Sequence, residues 1–199
     1  MRRAISAARG MLGRTWPNPV VGCVVARDGE VLAQAATAPG GRPHAEEQAL
    51  DLAGARARGA TVYVSLEPCG ERTSGAASCS ERLAEAGVAR VVIAADNPDP
   101  RSAGRGVERL LQAGVPVETG FLADEAEPLY RAFRHRLTTG LPLVEAAASG
   151  EGFDAAFEQA PGESLQAALE RLGRAGYSRL WAPEGSDLAA ELKSLGLLH

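Results

Sequence analysis

Two short motifs in the first half of the chain constrain it more than any other feature. Residues 43–46 read Pro-His-Ala-Glu, residues 66–69 read Leu-Glu-Pro-Cys, and a further cysteine follows at Cys79. One imidazole and two thiolates can form a three-ligand zinc site that leaves the fourth tetrahedral position open for water or substrate. The pattern therefore predicts a Zn²⁺ centre held by His44, Cys69 and Cys79.

Glu46 stands two residues after the predicted ligand His44 and is not needed to hold the metal. His-x-Glu followed by Pro-Cys is typical of the zinc deaminases that act on nucleobases. An unligated carboxylate within hydrogen-bond reach of water and substrate can transfer protons between them. We therefore expect Glu46 to accept a proton from water, protonate a ring nitrogen and assist the loss of ammonia.

Composition restricts the setting of this chemistry. The 199 residues, 45% of them apolar, suit one good-sized domain or one domain plus a fragment, and no apolar run reaches the length of a membrane span. The basic N-terminus lacks the apolar stretch of a signal peptide, so we expect a cytoplasmic protein.

Three cysteines are an odd number and favour metal use over disulfides. A net charge of −4 gives no electrostatic reason to expect nucleic acid, so the expected partner is a small molecule, with no membrane involved.

Strand signals alternate with helical periodicity through residues 1–140. Asp28-Gly29 between two apolar runs is a strong hairpin signal, so the first two strands should pair antiparallel. Predicted helices cover 1–12, 44–59, 79–86, 106–113 and 123–137, and predicted strands cover 20–26, 30–37, 61–66, 88–94 and 115–118. This order predicts a three-layer α/β/α sandwich with a mixed, mainly parallel five-stranded sheet.

Residues 141–199 repeat the alternation more weakly. Predicted strands cover 141–148 and 177–182, predicted helices cover 164–175 and 187–195, and residues 153–162 are interpreted as a loop. Because so small a unit buries little surface alone, we expect an α/β C-terminal remnant that packs on the first domain or on a second subunit.

Three runs together resemble the deaminase half of the bifunctional riboflavin-biosynthesis deaminase/reductase. They are residues 15–25 (Thr-Trp-Pro-Asn-Pro-Val-Val-Gly-Cys-Val-Val), residues 40–46 (Gly-Gly-Arg-Pro-His-Ala-Glu) and residues 63–69 (Tyr-Val-Ser-Leu-Glu-Pro-Cys). The resemblance covers residues 1–140 and implies a cytidine-deaminase-like fold and hydrolytic deamination of a pyrimidine nucleotide, a diaminopyrimidinone that carries a ribosylamino 5′-phosphate.

The same resemblance implies roles for particular residues. It makes His44, Cys69 and Cys79 the zinc ligands, Glu46 the proton shuttle and Asn18 a substrate contact. It also implies a homo-oligomer.

The segment between the two predicted zinc cysteines departs from the family pattern. Residues 70–78 separate them, and Glu71 stands where the family usually has a His that helps to hold the phosphoribosyl group. Arg42 and Arg72 remain candidates to pair with a substrate phosphate. Because residues 70–78 differ from the family pattern, a second interpretation stays open, in which the chain is a deaminase of another small nucleobase or nucleoside.

The C-terminal segment departs further. Residues 141–152 resemble the opening strand of the reductase half, but Glu145 stands where that family normally has a Lys, and most of the later reductase sequence is missing. We therefore expect residues 141–199 to be a shortened reductase-like tail that binds no nicotinamide cofactor, and tight binding of NADPH in a titration would contradict this. The short tail also motivates a third reading, a non-catalytic, zinc-stabilised paralogue, against which the unligated Glu46 argues.

Overall fold

The computed structural model describes residues 1–72 and 75–199, and five strands within these ranges form one mixed sheet. The strands are β1 (Gly22–Arg27), β2 (Glu30–Ala36), β3 (Thr61–Leu66), β4 (Arg90–Ala95) and β5 (Val117–Glu118). The order is β2-β1-β3-β4-β5, with β1 antiparallel to both neighbours and β3, β4 and β5 mutually parallel. Four strands therefore share one direction, which confirms the predicted mixed, mainly parallel sheet.

Helices cover both faces of this sheet. They are α1 (Arg2–Arg9), α2 (Ala45–Ala53), α3 (Cys79–Glu85), α4 (Arg105–Gln112) and α5 (Ala123–Thr139). Residues of α2, α3 and α4 share one buried apolar cluster with the sheet, and residues of α1 and α5 share another on the opposite face. The three-layer sandwich is thus confirmed, and Cys23, the cysteine that is not a predicted zinc ligand, lies fully buried in the first cluster. No helix of the described residues is both long and apolar enough to span a membrane.

Turn chemistry at Asp28-Gly29 explains the start of the sheet. Both residues have positive φ, 53° and 80°, as a two-residue type I′ hairpin requires. Arg27 and Glu30 pair across the turn, and the antiparallel pairing extends to Gly22 opposite Ala36 with one register shift between Val25 and Ala26.

The strand and helix ends then position the two motifs. Strand β3 ends at Leu66, so Glu67-Pro68-Cys69 leave its carboxyl end, while α2 begins directly after His44 and α3 begins at Cys79. Within residues 70–78, which separate the two predicted zinc cysteines, Thr73 and Ser74 lie outside the described residues.

Residues 141–199 form a second, smaller unit. Its strands are β6 (Leu143–Ala147), β7 (Ala155–Ala156) and β8 (Arg179–Pro183), in the order β6-β8-β7 with parallel pairing, and its helices are α6 (Leu165–Arg174) and α7 (Asp187–Ser194). The unit has an apolar cluster of its own and contacts the first domain through α5. The interpretation of residues 153–162 as a loop is wrong at β7, where two alanines, which carry no strand propensity, pair with β8.

Gly22 allows α1 to lie unusually close to β1. A Cβ at this position would be 1.9 Å from the carbonyl oxygen of Ala4 and 2.8 Å from the backbone nitrogen of Ala8. Because backbone atoms cannot rotate away, we expect Gly22→Ala to lower the free energy of unfolding by roughly 2–3 kcal/mol, measured by denaturant titration.

Gly10→Ala is the matched control for this variant. The nearest atom to a Cβ at Gly10 is 3.6 Å away, and its φ of −65° suits alanine. We expect a change within about 0.5 kcal/mol. Equal losses in the two variants would contradict the close approach of α1 to β1.

Candidate metal centre and active site

The structure brings His44, Cys69 and Cys79 together. The Nδ1 atom of His44 lies 3.3 Å from Cys79 Sγ and 3.8 Å from Cys69 Sγ, and the ligand atoms of all three lie within 4.8 Å of one another. Ordinary zinc–sulfur and zinc–nitrogen bonds arranged tetrahedrally place neighbouring ligand atoms roughly 3.5–3.8 Å apart. The spacing of the three side chains therefore fits a single Zn²⁺ ion.

Helix caps hold two of these side chains in place. His44 caps α2, and its backbone N–H donates to Glu47 Oε2 at 2.9 Å. Ser78 caps α3 with a reciprocal capping box to Glu81, which makes Cys79 the first residue of that helix. Two helix N-termini consequently meet at the sulfur atoms, where their partial positive charge favours thiolates.

Cys69 receives hydrogen bonds from both neighbouring ligands. The hydrogen bond with the Cys79 thiol, followed by that with His44, lowers the pKa of Cys69 to about 4, and the Cys79 backbone N–H also donates to Cys69 Sγ at 3.3 Å. Sharing this proton, together with burial, raises the pKa of Cys79. The pair thus already carries negative charge that a divalent cation can neutralise.

Glu46 lies buried next to this group. The residue is only 3% exposed, and its Oε2 atom has no hydrogen-bond partner among the described residues. Burial, and then the charge of Cys69, raise the pKa of Glu46 to about 7. Since buried carboxylates are normally paired, an unpaired oxygen here is suited to a group that takes up and releases protons.

The chemistry of the donor set also favours zinc. Imidazole and thiolate donors suit Zn²⁺, and three protein ligands beside an unligated carboxylate resemble open catalytic sites, whereas structural zinc sites usually have four protein ligands.

Arg72 occupies a different position from the one expected for a phosphate-binding side chain. Its side chain is 6% exposed, its guanidinium binds both oxygens of Glu47 at 2.9 and 2.7 Å, and its Nη2 atom donates to Cys79 Sγ at 3.4 Å. The ion pair lowers the pKa of Glu47 to about 2. Because the guanidinium already binds a carboxylate and a sulfur atom, this position does not support the predicted contact with a substrate phosphate.

Arg42 and Asn18 lie on the approach to His44. Arg42 is exposed and forms no ion pair within residues 1–72 and 75–199. The side chain of Asn18 lies against Gly41, where a Cβ would be 2.1 Å from Asn18 Nδ2. Their roles in substrate binding remain predictions.

Glu67 has a role that sequence reasoning missed. Its buried carboxylate accepts hydrogen bonds at 3.1–3.3 Å from four backbone N–H groups, those of Asn97, Gly104, Gly106 and Val107. Gly106 also lies against the Pro68 carbonyl, which a Cβ there would approach to 1.9 Å. The carboxylate therefore anchors the segment after β4 beneath Cys69, and the signal that could have revealed it was an acidic residue directly after a buried strand.

Comparison with known proteins agrees with this site. Residues 1–95 match the family model described as the cytidine and deoxycytidylate deaminase zinc-binding region. The chain is 43% identical over 164 residues to the riboflavin biosynthesis protein RibD of Escherichia coli (strain K12), a match that covers 82% of this chain and 44% of the relative. The chain thus spans less than half the length of the curated relatives that it matches.

Solved structures agree with both units of the fold. A RibD from Acinetobacter baumannii (form 1) superposes with a TM-score of 0.82 at 25% identity, covering 99% of this chain and 83% of that one. A diaminohydroxyphosphoribosylaminopyrimidine deaminase/5-amino-6-(5-phosphoribosylamino)uracil reductase from Thermotoga maritima superposes with a TM-score of 0.68 at 37% identity, covering 78% of this chain and 46% of that one.

Proposed function

Because residues 1–95 belong to the zinc-binding cytidine and deoxycytidylate deaminase family, within a RibD-like deaminase domain, we propose that this chain is a zinc-dependent aminohydrolase. We propose as substrate the diaminohydroxyphosphoribosylaminopyrimidine of riboflavin biosynthesis, the compound class in the name of the Thermotoga maritima protein. The observation that carries the proposal is the buried Oε2 atom of Glu46, which has no hydrogen-bond partner in the described part of the chain, beside three convergent metal-binding side chains.

The residues of the site divide the reaction between them. Zinc, when held by His44, Cys69 and Cys79, supplies a Lewis acid that makes hydroxide available near neutral pH. Glu46 would accept one proton of the attacking water on Oε2 and deliver it to a ring nitrogen. It would then move the second proton, from the hydroxyl added to the ring carbon, to the exocyclic amine, so that the C–N bond breaks, ammonia leaves and the oxygen remains as a carbonyl. Burial of Glu46 excludes bulk water, so the proton stays on the path between carboxylate and substrate.

Release of ammonia from a panel of substrates tests the proposal. We expect turnover of the riboflavin-pathway pyrimidine nucleotide and much lower turnover of cytidine, guanine and adenine. Turnover of the other bases alone would favour the second candidate, a deaminase of another small nucleobase or nucleoside. One observation supports that candidate: Glu71, which stands where the family usually has a His, forms an exposed ion pair with Arg105 at 3.0 Å.

The proposal also covers the domain boundary, the location, the assembly and the partner class of the protein. We place the boundary between the deaminase domain and the reductase-like tail at Gly140, which ends α5 with a φ of 79°. We further propose a cytoplasmic homo-oligomer that acts on a small molecule and not on nucleic acid or membranes. The net charge of −4 and the reduced thiols on which the centre depends support this setting.

Arg72 provides a prediction about metal affinity. Its hydrogen bond to Cys79 Sγ stabilises the thiolate, so Arg72→Met should weaken zinc binding by about 10- to 100-fold, the usual effect of removing a group that orients a metal ligand. A competition titration with a chromophoric chelator measures the affinity.

Arg82→Met is the matched control. Arg82 contacts the same carboxylate, Glu47 Oε1 at 3.2 Å, and also Asp51, but no hydrogen bond joins it to a sulfur atom among the described residues. We expect less than about a threefold change in zinc affinity. Similar weakening in both variants would attribute the effect to Glu47 and contradict a role for the bond to sulfur.

A further inference from the structure

The C-terminal unit touches the first domain at the loop that carries Asn18. We call residues 13–19 the Asn18 loop. The ring of Trp16 lies 4.4 Å from the ring of Tyr177, measured between centroids, with a tilt of 36°. The backbone of Gly176 also lies close to the ring of Pro17, because a Cβ at Gly176 would be 2.5 Å from Pro17 Cβ. The turn that precedes β8 therefore packs directly on Trp16 and Pro17.

Arg136 of α5 ties the same two segments together. Its Nη2 atom donates to the Pro17 carbonyl at 3.1 Å, and its Nε atom donates to Ser178 Oγ at 2.9 Å. At the start of the loop, Gly13 lies so close to the Phe153 backbone that a Cβ would be 2.3 Å from the Phe153 carbonyl oxygen. The start and the middle of the Asn18 loop are thus in contact with residues of the C-terminal unit, at Gly13 and at Trp16 and Pro17.

The Asn18 loop also contacts the segment that leads into the predicted zinc ligand His44. Asn18 packs against Gly41, and the Gly40 backbone N–H donates to the Arg14 carbonyl at 2.9 Å, so the loop contacts the segment that leads into His44. Thr15 Oγ1 donates to the Asn18 carbonyl at 3.1 Å, whereas no hydrogen bond occupies the Asn18 side-chain amide within the part of the chain that the structure describes. The amide is therefore available to a ligand while its backbone is fixed.

We propose that the C-terminal unit is a brace that positions the Asn18 loop for substrate binding, with Tyr177 and Ser178 as positioning residues. The inference rests on the proposed function, in which Asn18 contacts the substrate. A loop that is ordered before binding loses less conformational entropy when the substrate arrives, so the brace raises substrate affinity without taking part in the chemistry. This assigns a role to residues 141–199 that requires no nicotinamide cofactor.

Tyr177→Ala tests the brace. Loss of the aromatic pair should raise KM for the pyrimidine substrate by roughly 3- to 10-fold and leave kcat within about twofold, with one zinc per chain retained. Tyr177→Phe keeps the ring and should restore the KM of the natural protein. Ser178→Ala removes only the acceptor of Arg136 Nε, so it should raise KM in the same direction even if Tyr177→Ala folds poorly.

Glu145→Gln is the matched control at the same junction. Glu145 binds Arg131 of α5 at 2.9 Å and Arg179 at 2.8 Å, and among the residues that the structure describes none of its hydrogen bonds reaches the Asn18 loop. We expect its KM to stay within about twofold of the natural protein. An unchanged KM in Tyr177→Ala, or an equal rise in Tyr177→Ala and Glu145→Gln, would overturn the brace.

Fluorescence separates failure of the brace from failure of the proposed function. With Trp181→Phe as background, Trp16 is the remaining tryptophan, and the brace predicts that Tyr177→Ala increases quenching of Trp16 by acrylamide. Unchanged quenching would overturn the brace whatever the substrate. Increased quenching in a protein that deaminates none of the tested bases would uphold the contact and reject the proposed function.

Discussion

Glu46→Gln is expected to lower kcat for deamination by about 10²- to 10⁴-fold while the protein keeps one zinc ion per chain. The amide preserves the size of the side chain but cannot accept a proton from water or deliver one to the ring. Because His44, Cys69 and Cys79 hold the metal without Glu46, metal analysis of this variant should show zinc retained, whereas steady-state ammonia release should show turnover lost.

Asp51→Asn is the control for that experiment. Asp51 lies on the same helix, with a side chain 67% exposed and paired with Arg82, so neutralising it changes local charge without touching the buried site. We expect kcat within about twofold of the natural protein. Loss of zinc from Glu46→Gln would identify Glu46 as a ligand, and retained turnover would remove it from the mechanism.

Glu67→Gln is expected to lower the free energy of unfolding by about 3 kcal/mol or more. The buried carboxylate accepts hydrogen bonds from four backbone N–H groups, two on each oxygen, and an amide leaves two of those donors facing an NH₂ group. Each buried donor left without an acceptor costs roughly 1–3 kcal/mol. Denaturant titration of the zinc-loaded protein measures the loss.

Glu71→Gln is the matched control in the same segment. Glu71 is 66% exposed and pairs only with the exposed Arg105 among the described residues, so the ion pair contributes little. We expect a change within about 0.5 kcal/mol. Equal effects of the two substitutions would contradict the role of Glu67 as the anchor of the segment after β4.

Local signals predicted most of the first domain. Asp28-Gly29 specified its own turn, because positive φ at both positions suits only a few residue types, and the apolar runs before and after it became the paired strands. The run Thr61–Leu66 was predicted with the bounds that the structure gives to β3. The two motifs then converge, since both lie at the ends of elements that the sheet brings together.

The tail was less predictable, because its smallest strand has no local signal. Ala155 and Ala156 carry neither strand propensity nor alternation, and they pair with Leu180 and Trp181 only because β8 lies beside them. This strand pairing depends on tertiary structure, so the sequence of residues 155–156 alone does not predict it.

Arg72 and Glu67 show the same limit at the site. An arginine in a polar segment is usually solvated, and the burial of Arg72 depends on Glu47, which lies 25 residues away in sequence. The partners of Glu67 are backbone N–H groups 30 to 40 residues further along the chain, which no side-chain pattern identifies. Sequence patterns could indicate the metal-binding side chains, but not the charged groups that support them.

The central claim is a zinc ion held by one imidazole and two thiolates. X-ray absorption on the purified, untreated protein, combined with elemental analysis, tests it most directly. We predict one zinc per chain with two sulfur neighbours at about 2.3 Å and nitrogen or oxygen neighbours at about 2.0–2.1 Å. Protein without metal, or zinc without sulfur neighbours, would contradict the account.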